Sequence, residues 1–302
     1  MQPGTRPDAA VFEAHRRLMF GVAYRMLGSV QEAEDAVQDA YLRYGSAGVE
    51  PDYPKAYFIT VVTRLCLDRL KSARVQREEY IGVWLPEPLV TGAEGPRTPE
   101  EEVAFESDVS MAFLVMLERL SPVERAVFLL REVFDYDYAE IAPVVQKSEA
   151  ACRQAFRRAR EHVAEERSRF HPSADEVRML TARFAIAAAE GNMAGLIELL
   201  AQDAVIYSDG GGKAVAAINP VFGADRVARF VIGVTQRTRT ESVDAVMVNG
   251  VPGLGLRDHR GRVHSLLVAD IHDGQMASIY VIRNPDKLNK TLWSLPNLSN
   301  QA

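Results

Sequence analysis

The sequence is poor in cysteine. Only Cys66 and Cys152 occur in 302 residues, far apart and outside any CxxC spacing. That excludes a disulfide framework and a cysteine-based zinc site. Each sits among apolar residues at helical spacing and reads as a small core side chain. Long apolar runs are missing too. No stretch approaches the roughly 18 apolar residues of a membrane span, and the N-terminus carries no basic-then-apolar leader, so a cytoplasmic chain with no membrane partner is expected. Excess positive charge is also lacking. The formal net charge is −6, and residues from 171 onward are charge-balanced, so the whole excess lies in the first part. Such a chain is no general nucleic-acid glue, and any grip on DNA must come from local basic helices on an acidic background.

One glycine-rich loop, Asp209-Gly210-Gly211-Gly212-Lys213, invites a phosphate-cradle reading. It fails, because Lys213 is followed by Ala214 where a phosphate loop needs Ser or Thr. No metal or cofactor is therefore expected.

What is present begins with a helical hairpin from Asp137 to Val163. In its first helix, Tyr138 to Val145, Ala139, Ile141, Ala142, Val144 and Val145 can face a partner. Ser148 is a fitting N-cap for the second, since its hydroxyl can accept from a first-turn amide. Ala151, Ala155, Phe156 and Ala159 form a small inner face, while Arg153, Gln154, Arg157, Arg158 and Arg160 lie on the remainder. That division suits a helix-turn-helix whose second helix enters the major groove. There Arg can hold guanine and Gln adenine through paired bonds. An ordinary hairpin with a solvated basic face remains the alternative, because Gln146 stands where Gly would mark the turn more clearly.

Upstream, an amphipathic helix from Val11 to Leu27 ends at Gly28. Ser29 and Glu32 make a capping-box pattern for the next, Val30 to Tyr44. Ala33, Ala36, Val37, Ala40 and Tyr41 are its inward positions. Glu34, Asp35, Gln38, Asp39 and Arg43 form the outer face, either simply solvated or a dock for a basic or polar helix. A helix from Lys55 to about Glu79 carries Arg64, Arg69, Lys71, Arg74 and Arg77 besides Lys55, against Asp68. Its β-branched start, Ile59 to Thr63, could also be a strand. Tyr57 and Phe58 near that start would suit base stacking on single-stranded DNA. Residues 80–103 are rich in Pro, Gly and Glu and read as a linker with Trp84 and Leu85 as large anchors. A helix from Val103 to Leu120 follows. Ser121-Pro122-Val123-Glu124 then starts another that runs to Phe134.

From residue 171 the pattern is α+β. Helices are expected at Asp175 to Glu190, Met193 to Ala201 and Ala224 to Thr235. Strands are expected at Ala204 to Tyr207, Ser242 to Val248, Gly255 to Arg257, Val263 to Ile271 and Met276 to Val281. They would form a curled antiparallel sheet with a cone-shaped interior and a hairpin tip at Asp273-Gly274.

Residues 10–165 resemble the extracytoplasmic-function (ECF) group of sigma-70-family RNA polymerase sigma factors. The resemblance rests on AEDAVQDAYLRY, KAYFITVVTRLCLDRLKSAR, LERLSPVERAVFLLREVFDYDYAEIA and KSEAACRQAFRRAREH, in that order. The C-terminal part resembles SnoaL-like (NTF2-like) domains. The segments WLPEP, DGGGK and NPDKL together look like the subgroup that carries such an extension. The resemblance implies two all-α sigma domains, the second with a helix-turn-helix, plus a C-terminal α+β cone. Region 2 would span 10–79, the linker 80–103, region 4 104–167 and the SnoaL-like domain 171–290. It implies promoter DNA and core RNA polymerase as partners, the latter through the coiled coil of the largest subunit against Glu34, Asp35, Gln38, Asp39 and Arg43. The −10 element would be met by Arg64, Asp68, Arg69, Lys71 and Arg74. The −35 element would be met by Lys147, Ser148, Arg153, Gln154, Arg157 and Arg158. A regulatory contact in cis would involve Trp84, Leu85, Asp209, Gly210, Gly211, Gly212, Lys213, Asn284, Pro285, Asp286 and Lys287, with Asp209 and Lys213 able to pair across it.

No enzymatic activity is expected of such a subunit, and the free chain is expected to be a monomer. Some SnoaL-like relatives are enzymes, however. A rival reading is therefore an enzyme or small-ligand sensor fused to a DNA-binding module, with Asp209, Asp270 and His272 as its carboxylate and imidazole candidates.

Overall fold

The computed structural model describes residues 9–47, 51–91, 109–164 and 173–291. The chain divides into two compact units. One comprises residues 1–78 and 114–167, the other residues 79–113 and 168–302.

The first unit is helical. Its first three helices are α1 (Ala9–Leu27), α2 (Val30–Ala47) and α3 (Pro54–Glu78). They pack through Phe12, Met19, Phe20, Ala33, Val37, Tyr44, Phe58, Val62 and Cys66, all buried. The β-branched start of α3 is helical, because Pro54 begins it and Phe58, Ile59, Val62 and Leu65 give one buried stripe at helical spacing. Phe58 is fully buried against Phe12, Tyr44 and Tyr57. It is therefore a core residue and no platform for bases. Tyr41 stays 44% exposed while its ring meets Phe12, and Tyr44 takes the buried place expected of it.

α4 (Met111–Glu118) starts later than the expected Val103. Ser110 Oγ accepts from Phe113 N at 3.2 Å and caps it there, and residues 103–108 lie outside those described. α5 (Pro122–Phe128) opens on a full capping box between Ser121 and Glu124, with Pro at the first turn. It runs into a π-type turn at Leu129–Val133. The hairpin follows as α6 (Tyr138–Val145) and α7 (Glu149–Ala164). Buried Arg125 joins this half to the first, donating to Met26 O at 2.6 Å and pairing with Glu118 at 2.7 Å.

The second unit is α+β. α8 (Ala174–Glu190) and α9 (Met193–Leu199) precede β2 (Leu200–Asp209), and α10 (Ala224–Arg237) follows β3 (Val221–Phe222). β4 (Ser242–Val248), β5 (Val251–Arg257), β6 (Val263–His272) and β7 (Gln275–Ile282) form a meander closed by α11 (Pro285–Thr291). With β1 (Val90–Thr91), the order is β1-β4-β5-β6-β7-β2-β3. The sheet is mixed rather than wholly antiparallel. Four meander strands bring β7 back running in the direction of β2, and those two pair in parallel. Phe184, Leu196, Leu199, Ile206, Val227, Ile271, Met276 and Ile279 fill the space between α8–α10 and the sheet. At the turn between β6 and β7, Asp273 and Gly274 both take positive φ, as a two-residue hairpin requires.

Candidate nucleic-acid interface and linker site

α6 and α7 meet through Ile141, Ala142, Val144 and Val145 on one side and Cys152, Ala155 and Ala159 on the other, all buried. Ala139 is exposed, and Cys152 holds the inner position assigned to Ala151. Burial pushes the Cys152 thiol up, as suits a packing residue. Gln146 adopts the left-handed conformation (φ 54°) in place of a glycine, and Lys147 N reaches back to Ala142 O at 3.0 Å. Ser148 Oγ accepts from Ala151 N at 3.2 Å, which confirms the cap.

Lys147, Ser148, Arg153, Gln154, Arg157 and Arg158 are all exposed. Their surroundings differ. Arg153 pairs with Glu149 at 3.1 Å and lies over the Tyr138 ring, which Arg131 also approaches. Arg157 is 3.5 Å from Glu161 on its own helix. Arg158 reaches across to Glu124 at 2.6 Å.

On α3, Arg64 donates to the carbonyls of Pro143 (2.8 Å) and Val144 (3.2 Å) at the end of α6. There a cation meets the unpaired carbonyls and the negative pole of a helix. Arg69 bonds Asp39 at 2.6 Å and Glu32 O at 3.1 Å, and lies 4.0 Å from Asp35. Lys71 pairs with Asp68 at 2.9 Å, and the Arg74 side chain lies outside the described residues. On α2, Glu34, Asp35, Gln38 and Arg43 are exposed and Asp39 is half-buried. α2 and α3 thus border one cleft of about 370 Å³, lined in part by Asp39, Arg43, Asp68 and Arg69.

The linker is ordered from Glu79 to Thr91 and belongs to the second unit. Leu85, Leu89 and Val90 are buried. Val90 and Thr91 pair with Val248 and Met247 on the edge of β4, and Leu89 exchanges bonds with Asn249. At the centre sits Asp209, fully buried. Its carboxylate accepts from Tyr80 Oη (2.5 Å), Lys287 Nζ (2.6 Å), Leu85 N (2.9 Å) and Gly211 N (3.1 Å).

Lys287 also donates to Leu85 O and lies 4.4 Å from the centre of the Trp84 ring. Asn284 donates to Tyr80 Oη at 2.8 Å and caps α11 by accepting from Asp286 N. Burial and the adjoining Asp209 carboxylate push the Tyr80 phenol up. Lys213 does not pair with Asp209. It meets Asp286 at 2.5 Å on the surface, because the Gly210–Lys213 turn carries it outward while Asp209 faces inward to Lys287. Gly211 and Gly212 have positive φ, and a Cβ on Gly211 would collide with Asn284.

Residues 11–75 match the family Sigma-70 region 2, and residues 110–163 match Sigma-70, region 4. The chain is 37% identical to the ECF RNA polymerase sigma factor SigJ of Mycobacterium tuberculosis, over 93% of each chain. The chain belongs to the ECF sigma factors. A probable ECF sigma factor of the same organism, SigI, is 32% identical over 94% of this chain and 95% of its own. The crystal structure of M. tuberculosis SigJ superposes with a TM-score of 0.78, at 34% identity, over 94% of this chain and 99% of that one. This sigma factor therefore carries the region-2 and region-4 helices ahead of a C-terminal mixed-sheet domain, and it acts in transcription initiation.

Asn249, which fixes the edge strand, escaped the sequence reading, as did the pairing of Arg158 with Glu124, a residue read only as part of the helix start at Ser121. An Asn-Gly pair at 249–250 and the capping box were their only signals.

Proposed function

We propose that this sigma factor grips a promoter at two points and that its C-terminal unit governs the linker between them in cis. One observation carries the second half: the buried Asp209 carboxylate takes donors from Tyr80 and Leu85 of the linker and from Lys287 of α11. A linker so tied is in one of two arrangements, and whatever binds either one shifts the balance.

In this reading Glu34, Asp35, Gln38, Asp39 and Arg43 dock on the coiled coil of the largest polymerase subunit. Arg64, Asp68, Arg69, Lys71 and Arg74 meet the −10 strand, and α7 reads the −35 duplex. The free chain is taken as a cytoplasmic monomer without catalytic activity. Of the acid-base candidates, Asp209 is held by four donors, while Asp270 and His272 pair with each other at 3.0 Å. A small ligand in the C-terminal unit is not required.

Run-off transcription with core polymerase and the full chain tests the two-point grip. Arg157→Ala combined with Arg158→Ala is expected to abolish output from a −35-dependent promoter. Undiminished output would refute the −35 assignment, and failure of the wild-type chain to associate with core polymerase would refute the whole reading.

A further inference from the structure

Among the arginines of α7 assigned to DNA, Arg158 is the one whose carboxylate partner, among the described residues, lies outside its own helix. That partner, Glu124, is 14% exposed and divides its two oxygens between two tasks. Oε2 accepts from Ser121 Oγ at 2.7 Å and Ser121 N at 3.1 Å, completing the cap of α5. Oε1 accepts from Arg158 Nε at 2.6 Å. The cap locks the carboxylate, and the carboxylate locks the arginine.

The choice of nitrogen matters. A guanidinium presents its donors in a rigid plane. With Nε taken, the two terminal nitrogens remain as a pair, and no hydrogen bond among the described residues uses them. Two such donors side by side fit the O6 and N7 acceptors on the major-groove edge of guanine. Arg153 and Arg157, 55% and 76% exposed, are tied only to acids one turn away on α7 and keep more freedom. A side chain fixed before binding loses less entropy on binding, and its preference for one base is sharper.

We propose that Glu124 is a positioning residue for −35 recognition, which holds Arg158 through Nε so that its terminal nitrogens address a single guanine. This rests on the reading of α7 as the −35 helix.

The test uses the full chain with core polymerase and a promoter set carrying every single-base change through the −35 element. Output is read by run-off transcription, and thermal unfolding is followed in parallel. Arg158→Ala is expected to lower discrimination at one guanine position by roughly tenfold. Glu124→Ala should lower it at that same position. The double variant should do no worse than either single one. Ser121→Ala, which damages the same cap but leaves Glu124 in place, should lower the melting temperature and keep the base preference. Arg158→Lys should not restore it. If Glu124→Ala keeps the full preference that Arg158→Ala loses, the positioning role is wrong. Equal weakening on every promoter, in proportion to lost stability, would reduce Glu124 to a cap. An unchanged preference in Arg158→Ala would refute Arg158 as a reader, and with it the proposal.

Discussion

Replacing Asp209 with Asn probes the linker node directly. The wild-type carboxylate is fully buried and faces Lys287, whose side chain is 11% exposed. Asn can still accept from Tyr80. Its amide nitrogen, however, would point a donor at the Leu85 amide or at the ammonium, and Lys287 would keep its charge without an anion. Leaving one member of a buried pair uncompensated costs about 3–5 kcal/mol. For a unit of this size that corresponds to a fall of about 6–20 °C in unfolding temperature. Lys287→Met should cost a comparable amount, because Asp209 is then the buried charge left over. Combining the two removes both charges. The double variant should therefore be more stable than the sum of the singles by about 1 kcal/mol or more. Thermal unfolding read by tryptophan fluorescence suits the question, since Lys287 lies 4.4 Å from the Trp84 ring centre. A Trp293→Phe background leaves Trp84 as the single reporter. Strict additivity, or an Asp209→Asn variant as stable as wild type, would refute the coupling between linker and sheet.

Two further outcomes are expected. Arg64→Ala should lower the stability of the helical unit by about 1 kcal/mol, because the Pro143 and Val144 carbonyls lose their donor; an unchanged denaturant midpoint would refute the capping role. Burial, with Arg283 nearby, holds the His264 imidazole below its ordinary 6.5. The unfolded chain then takes up the proton first, so stability is complete above pH 6.5 and is lost as the pH falls toward the folded value. His264→Gln should flatten that loss below pH 6.5 relative to wild type, and parallel denaturant profiles for the two chains would refute it.

Much of the helical unit was legible because its signals are local. The capping box at Ser121 and Glu124, the Ser148 cap and the spacing of Val144, Val145, Ala155 and Ala159 lie within a few turns of sequence. Gln146 was harder, since the sequence marks left-handed turns by glycine and a glutamine there is held by its surroundings. The linker was hardest. A Pro-rich stretch does not announce a strand, yet Val90 finds Val248 on a sheet edge far along the chain. Lys213 and Lys287 are equally plausible partners for Asp209 on charge alone. The direction of a buried side chain decides between them, and that direction belongs to the tertiary fold.

The internal bonds of the helical unit also bear on the positive field it presents within a chain of net charge −6. Arg69 is 26% exposed and is spent on Asp39 and Glu32 O, and Arg64 on two helix-end carbonyls. Neither adds freely to the positive field a phosphate backbone would meet. Partly exposed ion pairs are worth at most about 1 kcal/mol, less than the contacts available in an assembled promoter complex. Binding at the Asp39 face competes for the same carboxylate that holds Arg69. An occupant there therefore lowers the cost of turning Arg69 toward DNA, and DNA on Arg69 lowers the cost of taking Asp39, by the reciprocity of linked equilibria. On the proposed reading, an α3 whose Arg64 and Arg69 are already occupied favours promoter contact beside a partner over contact alone.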